Sequence, residues 1–527
     1  MSVKFRRGTR AAPPSFSFIP RLTMYSPPLP RVSCRDRLRT GQSAFIGLAV
    51  SAILAIPTGS IAQSIAPTQP TPPAAKPNPG APKPSGQPTA PGKIQRPRLL
   101  GDLLGPQPES APDPLLQRHA ITPDAAAAAG LRRLVGKHLT IYTDVPSSPA
   151  VDELPKVFDL AMAPWCERFG IDPARVAAWR LTGYLMRDGD RFRKINALPA
   201  GLPPFKNGFH MGDEFWWYEQ SSDYYRRHLL LHEGTHVFMS RWLGGIGPPW
   251  YAEGMAELMS THRWHEGQLQ LGYAPRDRDE LTDWGRVKII QDNFAAGRGK
   301  SLEAVFQYDL RTSLEVEAYG WSWAAAHFLD SHPKSQAVFR SLIDDAREGG
   351  PEFSRRLIKR LGDDWEDLSE EWQLFVSQAE YGYDVPRAAI ERRPAQPLTS
   401  AEIRLKVAAD KGWQSSGVVL EAGESYEVAA VGRYQMAAGP PVWWSEPGGV
   451  TIRYHRGQPL GILQGAVRGE AFSRDKLTPL VTPLAIGRKQ EVSPAESGTL
   501  YLRVNESPRD LADNAGEILV RIRRLTP

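Results

Sequence analysis

Hydrophobic and polar residues follow two different rhythms along this chain. Residues 139–142 (LTIY), after Gly136, form the short β-branched and aromatic run of a strand, and 179–185 and 214–218 repeat it. Between 151 and 169 the apolar positions Leu154, Val157, Phe158, Leu160 and Ala161 share one side of a helix. From Asp223 the spacing turns helical and stays so to about Glu380. Residues 335–347 place Ala337, Val338, Leu342 and Ile343 on one face. Residues 357–376 do the same with Leu357, Leu361, Trp365, Leu368, Trp372 and Phe375. A few strands followed by many helices predict an α+β body over 126–395. After Ala401 helical spacing stops. Short segments at 416–420, 424–431, 450–454, 460–465, 498–504 and 517–522, parted by turns such as Gly448-Gly449, predict a separate all-β sandwich over 396–527.

The N-terminal quarter has neither rhythm. Residues 44–56 (AFIGLAVSAILAI) are thirteen apolar or small residues preceded by Arg35, Arg37 and Arg39 and followed by the small residues Ser60 and Ala62. That is the pattern of an export signal over 1–62, and thirteen residues fall short of the roughly twenty that span a bilayer. Eleven prolines between Pro67 and Pro97 make 63–125 an extended linker. The expected destination is secreted or periplasmic, with no membrane span left after cleavage.

Composition narrows the classes further. The 527 residues carry 2 Cys, which excludes a disulfide scaffold and any multi-Cys metal site. The formal charge of +6 suggests nucleic acid, but residues 1–62 hold nine basic groups and one acid, leaving a net of −2 on the rest. A slightly acidic body is a poor phosphate binder, so nucleic acid is not an expected partner.

The candidate chemistry sits at His232-Glu233-Gly234-Thr235-His236, inside the apolar helical run 223–243. Positions four apart lie on one helix face, so His232 and His236 can coordinate one Zn²⁺ while Glu233 projects beside it as a general base. The bland alternative is two core histidines satisfied by backbone or water. His228 lies one turn back, either as a further ligand or on the periphery. Downstream, the break Gly244-Gly245-Ile246-Gly247-Pro248-Pro249 lets the chain reverse. A second helix then carries Glu253 and Glu257 on one face. Glu253 can be the third ligand, and Glu257 can accept a hydrogen bond from His232 or His236. A solvated Glu face is the alternative.

HEGTH followed by PPWYAEGMAE resembles the gluzincin metallopeptidases, in the branch of peptidase-MA-like bacterial proteins with an E-G-x-A-E second helix. The resemblance covers roughly residues 136–380. It implies that His232, His236 and Glu253 bind zinc, that Glu233 is the base and that Glu257 supports a His ligand. It also implies a Tyr donor for the oxyanion; Tyr319 in EAYGWSWAAAHFL is the first candidate and His327 the second. The aminopeptidase motif G-x-M-E-N is absent from the sequence, which points toward an endopeptidase.

At the other end, LYLRVNESPRDLADNAGEILVRI, with VAAVGRYQ before it, is similar to the PA-I type galactose-binding lectin sandwich. That resemblance implies a Ca²⁺ site, for which Asn505, Asp510, Asp513 and Asn514 could supply oxygens. Asp513 departs from the family's amide, and Asp-Asn-Ala-Gly also makes a good turn without metal.

These features predict an exported zinc metallopeptidase acting on peptide or protein, with a cell-envelope glycan as the candidate ligand of its sandwich. The competing expectation is an inactive gluzincin scaffold that binds envelope polysaccharide. The segment FHMGDEFWWYEQ is a candidate edge strand lining the cleft, where substrate could add as a further strand.

Overall fold

The computed structural model describes residues 121–525 except 475. The export signal over 1–62, and the Pro-rich linker as far as residue 120, lie outside the described residues. Residues 123–128, at the linker's expected end, form a short helix (Pro123–Ala128) capped by Thr122. Among the described residues no helix is long and apolar enough to cross a membrane.

The body opens with β1 (Arg132–Val135) and β2 (Leu139–Thr143), then α1 (Leu154–Arg168), β3 (Leu181–Met186), β4 (Gly208–Met211) and β5 (Glu214–Tyr218). These strands form one sheet in the order β1-β2-β3-β5-β4. The central three run parallel, and β1 and β4 flank them antiparallel. Among the described residues β4 is therefore a free edge. Two helices follow: α2 (Asp223–Leu243), started by the Ser222 cap, and α3 (Pro249–Ser260). α2 packs on β4, β5 and α1, and α3 packs on α2.

The helical run predicted to Glu380 is interrupted. A hairpin follows α3, with β6 (His262–His265) and β7 (Gln268–Leu271) joined by the turn Glu266-Gly267, both at positive φ. Only then do α4 (Arg286–Ala295), α5 (Val316–Ser331), α6 (Pro351–Leu361) and α7 (Asp364–Ser377) follow. Gly362 divides the last two at φ 55°, and the segment 336–345 is a short α-helix passing into a 3-10 turn.

Close approach explains the small residues around the two central helices. A Cβ on Gly254 would lie 2.7 Å from the Ser322 carbonyl oxygen, so α3 and α5 meet where only glycine fits. A Cβ on Gly234 would lie 2.7 Å from Trp165 Cη2 and 2.8 Å from Phe158 Cε2. The middle of HEGTH thus faces an aromatic core shared with α1.

The C-terminal region is all-β. β8 (Glu402–Ala408), β9 (Gln414–Leu420), β10 (Tyr426–Val431), β11 (Tyr434–Ala437), β12 (Trp443–Ser445), β13 (Gly448–His455), β14 (Gln458–Arg468), β15 (Lys489–Val492), β16 (Gly498–Val504) and β17 (Glu517–Arg524) build it. One sheet runs β13-β14-β16-β9, the other β15-β10-β17-β8, with β11 and β12 paired beside them. Both sheets feed one core of Val407, Val418, Leu420, Val428, Leu463, Leu500, Leu502 and Ile518. The sheets are sandwich-like, with alternate residues turned inward.

This region and the body belong to one compact unit. Glu370 of α7 is buried; it accepts Thr478 Oγ1–H at 2.7 Å and faces Arg392 at 3.1 Å and Arg468 at 3.3 Å. Arg503 reaches Gln378 of the body while its guanidinium stacks 4.7 Å over Trp413.

Gly254→Ala should destabilise the protein. The helix-propensity gain of about 1 kcal/mol is outweighed by overpacking of about 1–3 kcal/mol against a backbone carbonyl that cannot rotate away. A urea melt should show the midpoint falling with an unchanged slope.

Candidate metal centre

α2 is buried on nearly all sides from Tyr224 to Met239, which is unusual for a helix carrying three His and a Glu. Its polar side chains must therefore find partners within the protein or bind a ligand. Gly244, at φ 74°, ends α2 in the left-handed conformation, and Pro249 begins α3 five residues later. α3 returns alongside α2 and brings Glu253 to the two imidazoles.

The three ligand atoms converge. His232 Nε2 lies 3.2 Å from His236 Nε2 and 3.2 Å from Glu253 Oε2, and His236 Nε2 is 3.6 Å from that same oxygen. Tetrahedral bonds of about 2.0–2.1 Å place neighbouring donors roughly 3.3–3.4 Å apart, so the triangle has the size such an ion needs. Glu253 Oε2 is buried and makes no ordinary hydrogen bond.

Electrostatics agree with the geometry. Burial pushes the Glu253 carboxyl up, yet His236 and His232 beside it bring it down to about 2. Burial opposes a proton on His232, but Glu253 and Glu257 outweigh it and hold that imidazole well above its ordinary range. The same negative potential that holds a proton here would favour a metal cation, which has to displace that proton to bind.

A second cluster, His228, His232 and Glu257, is also buried and compact. Here Glu257 already has its cation. Arg286 of α4 donates to it bidentately, Nε to Oε2 at 2.7 Å and Nη2 to Oε1 at 2.9 Å. Burial raises the Glu257 carboxyl, and the guanidinium more than compensates, holding it well below the usual range. Glu257 Oε1 lies 3.4 Å from His232 Nδ1 and 3.4 Å from His228 Nε2. Turning Nδ1 of His232 toward Glu257 leaves Nε2 for the first triangle. His228 sits behind, 3.3 Å from Ser260 Oγ.

Glu233 faces the free sheet edge. A Cβ on Gly208 of β4 would lie 2.7 Å from Glu233 Cδ and 2.8 Å from its Cγ, so the strand backbone presses on the carboxylate. His210, two residues along β4, places Nδ1 3.7 Å from Glu233 Oε2 and stacks on His236 with ring centroids 5.1 Å apart. Tyr319 of α5 sits edge-on to His232 at 5.9 Å and lies under the Arg286 guanidinium. Burial, and then Glu253, Glu233 and Glu257, push its phenol pKa far up, so it keeps its hydrogen. His327 does not join the site: it stacks on Trp323 at 5.1 Å, and burial lowers it to about 4.

Of the C-terminal candidates, Asn505 donates its Nδ2–H groups to the carbonyls of His455, Gln458 and Pro459, and Asn514 donates to Ala409. Both amide oxygens are buried without a partner. Asp513 is exposed and Asp510 half-buried. Glu506, beside Asn505, is buried and its carboxyl is pushed up to about 8, chiefly by burial, with Asp510 and Asp513 adding to it.

Gly208, His210, Arg286 and Glu506 escaped the sequence reading. His210 lies in FHMGDEFWWYEQ, expected as an edge strand lining the cleft but with no role of its own, and Gly208 stands just before that segment. A lone Arg on an amphipathic helix carries no signal of its own. Glu506 follows Asn505 directly, and that adjacency was its only mark.

No protein-family model and no curated protein matches the chain. Among solved structures it is similar to the N-terminal domain of EclA, a PllA-like lectin, at 23% identity and TM-score 0.18, over 24% of this chain and 98% of that one. It is also similar to IMPa from Pseudomonas aeruginosa in complex with an O-glycopeptide, at 11% identity and TM-score 0.16, over 75% of this chain and 42% of that one. The IMPa metallopeptidase in complex with T-antigen gives 10% identity and TM-score 0.15. The chain thus spans under half of the IMPa length. Similarity this low leaves the chemistry of the site to its own geometry.

Arg286→Met should leave Glu257 buried and unpaired. Stability should fall by about 3–5 kcal/mol in chemical denaturation, and metal affinity should drop by about 10–100-fold in a competition titration.

Proposed function

We propose that this chain is a zinc-dependent metallopeptidase of the gluzincin type, hydrolysing peptide bonds with Glu233 as general base. The observation that carries this is the triangle of His232, His236 and Glu253, closed to 3.2–3.6 Å, with a carboxylate clamped beside it. The body over 126–395 holds this site, and 396–527 is its accessory module. Bound at the triangle, zinc supplies Lewis-acid polarisation of the scissile carbonyl and of the attacking water.

The protein's own groups do the rest. Glu233 takes a proton from the water and returns it to the leaving amine. Gly208 and His210 of β4 hold that carboxylate in place. Tyr319 donates its phenolic hydrogen to the developing oxyanion. Arg286 fixes Glu257, and Glu257 fixes the His232 ring so that Nε2 faces the metal. The free edge of β4 offers main-chain groups for an extended peptide.

For the module we propose a Ca²⁺-assisted glycan site at Asn505, Asp510, Asp513 and Asn514, with Glu506, next to Asn505 in sequence, as a further candidate donor. Two orphaned amide oxygens and a carboxyl held near pKa 8 are groups that a hard cation would relieve. Export rests on the sequence of residues 1–62.

Purified full chain should hold one zinc and cleave casein. Glu233→Gln should keep the zinc and lose cleavage by at least about 10³-fold, whereas Glu253→Gln should lose the zinc. Zinc retained with no turnover on any peptide would instead favour the inactive scaffold. Gly208→Ala should lower kcat by about 10²-fold at unchanged zinc content, because the added methyl displaces Glu233.

Glu506 gives a pH test of the calcium assignment. Its folded pKa lies above the ordinary 4.5, so the folded state holds a proton that the unfolded state releases. Stability should fall as pH rises from about 4.5 to 8, and added Ca²⁺ should raise Tm most at the alkaline end. A Tm indifferent to Ca²⁺ across that range would remove calcium from the account.

A further inference from the structure

A cavity of about 660 Å³ opens beside Glu253, a volume typical of a ligand site and larger than one side chain fills. Its apolar wall is Ile246, Pro248, Phe306, Tyr308 and Leu310. Leu310, Leu314 and Val316 continue as exposed apolar residues along the segment leading into α5, the helix that carries Tyr319. The floor is built rather than loose. It consists of the reversal between α2 and α3 and the segment 346–351, clasped by Gly247 N–H donating to the Ala346 carbonyl at 2.7 Å.

Two arginines, Arg311 and Arg347, also line this cavity, both exposed, and neither has a carboxylate partner among the described residues. Arg347 lies across Gly244, where a Cβ would sit 2.7 Å from its Nε. Its nearest compensation is therefore the carbonyl end of α2, worth about half a charge. The acids that line the same space are already engaged. Asp309 accepts the Thr312 N–H at 2.7 Å within its own turn, and Glu253 is turned to the imidazoles. The cavity thus pairs apolar walls with two uncompensated guanidinium groups, each able to bind a carboxylate through parallel N–H donors.

We infer that this cavity is the specificity pocket of the site and selects polypeptide segments in which a bulky apolar residue stands next to an acidic one. The apolar side chain fills the space between Phe306 and the Gly-rich floor, and the acid meets Arg311 and Arg347. This rests on the metallopeptidase reading for the position of the scissile bond, but not for the binding itself.

Binding can be measured apart from cleavage. The probes are a fluorescently labelled decapeptide with Phe-Glu at its centre and its Phe-Lys and Ala-Glu counterparts, titrated by anisotropy into zinc-loaded full chain carrying Glu233→Gln. The Phe-Glu peptide should bind about tenfold more tightly than either counterpart. Arg311→Glu and Arg347→Glu, both at exposed positions, should together reverse the order of Phe-Glu and Phe-Lys. Gly349→Trp should erase the preference for Phe over Ala, because a Cβ there meets nothing nearer than Gly247 O at 3.9 Å and the indole can occupy the cavity. Circular dichroism and zinc content serve as folding controls for all three.

Binding blind to both residues, no binding of any peptide, or preferences untouched by the variants would each overturn the pocket assignment. If the unmutated chain cleaves casein yet shows no such selection, the pocket fails and the enzyme stands. If it holds zinc but cleaves nothing, while the selection and its loss in the variants are seen, the pocket stands and the enzyme fails.

Discussion

The bidentate pair between Arg286 and Glu257 is the interaction on which the centre depends. Two imidazoles, the buried Glu257 and the half-buried Glu253 lie within a few ångströms of one another, where each charge would be costly alone. Arg286 neutralises Glu257 and leaves it rigid. Glu257 then stands against Nδ1 of His232, so the ring presents Nε2 to His236 and Glu253. Without the guanidinium, Glu257 would compete for any cation entering the site. With it, Glu253 Oε2 is the buried carboxylate oxygen at this site that, among the described residues, makes no ordinary hydrogen bond and is left to face the two imidazoles. The arrangement separates two neighbouring acidic groups into one that is structural and one that can bind a metal, by giving a permanent cation to the first alone.

A second constraint acts from the sheet. β4 is a free edge, so its backbone groups are available for pairing, and it lies against the base. Gly208 allows the strand to come within contact of Glu233, and His210 covers His236. A strand that both restrains the base and offers main-chain groups to a peptide ties substrate alignment to base position. Displacement of β4 would disturb both at once, which is why a single methyl at Gly208 carries a larger expected effect than its size suggests.

Legibility in the sequence followed the range of the interaction. His232 and His236 stand four residues apart on one helix, with Glu233 directly after the first, and Glu253 and Glu257 repeat the spacing after a Gly-Pro reversal. These are local patterns, and helix geometry alone brings each set to one face. The strands at 139–143 and 214–218 and the sandwich segment 498–504 were legible for the same reason. The hairpin 262–271 was not, because HRWH and QLQL are only four residues each and lie inside a longer helical rhythm. Arg286 and His210 were illegible in a different way. Their roles are set by how α4 and β4 pack against α2 and α3, and no spacing within a single segment encodes that. Tyr319 was accessible only through resemblance, and the same resemblance offered His327, which the fold places against Trp323 instead.

The reversal between α2 and α3 serves two purposes that cannot vary independently. Its glycines permit the tight return that sets Glu253 opposite the imidazoles, and they also form the floor of the adjoining cavity. A Cβ on Gly245 would overlap the Ala346 carbonyl, so the floor cannot be reshaped by side chains there without moving the segment 346–351. A change in cavity shape made at the reversal would therefore shift Glu253 and with it the metal triangle. The wall outside the reversal is freer: Phe306, Leu310 and Arg311 belong to a segment that joins α5 and holds none of the ligands. Selectivity in such a site would be expected to drift through that segment and through residues 347–351, while the reversal stays as it is.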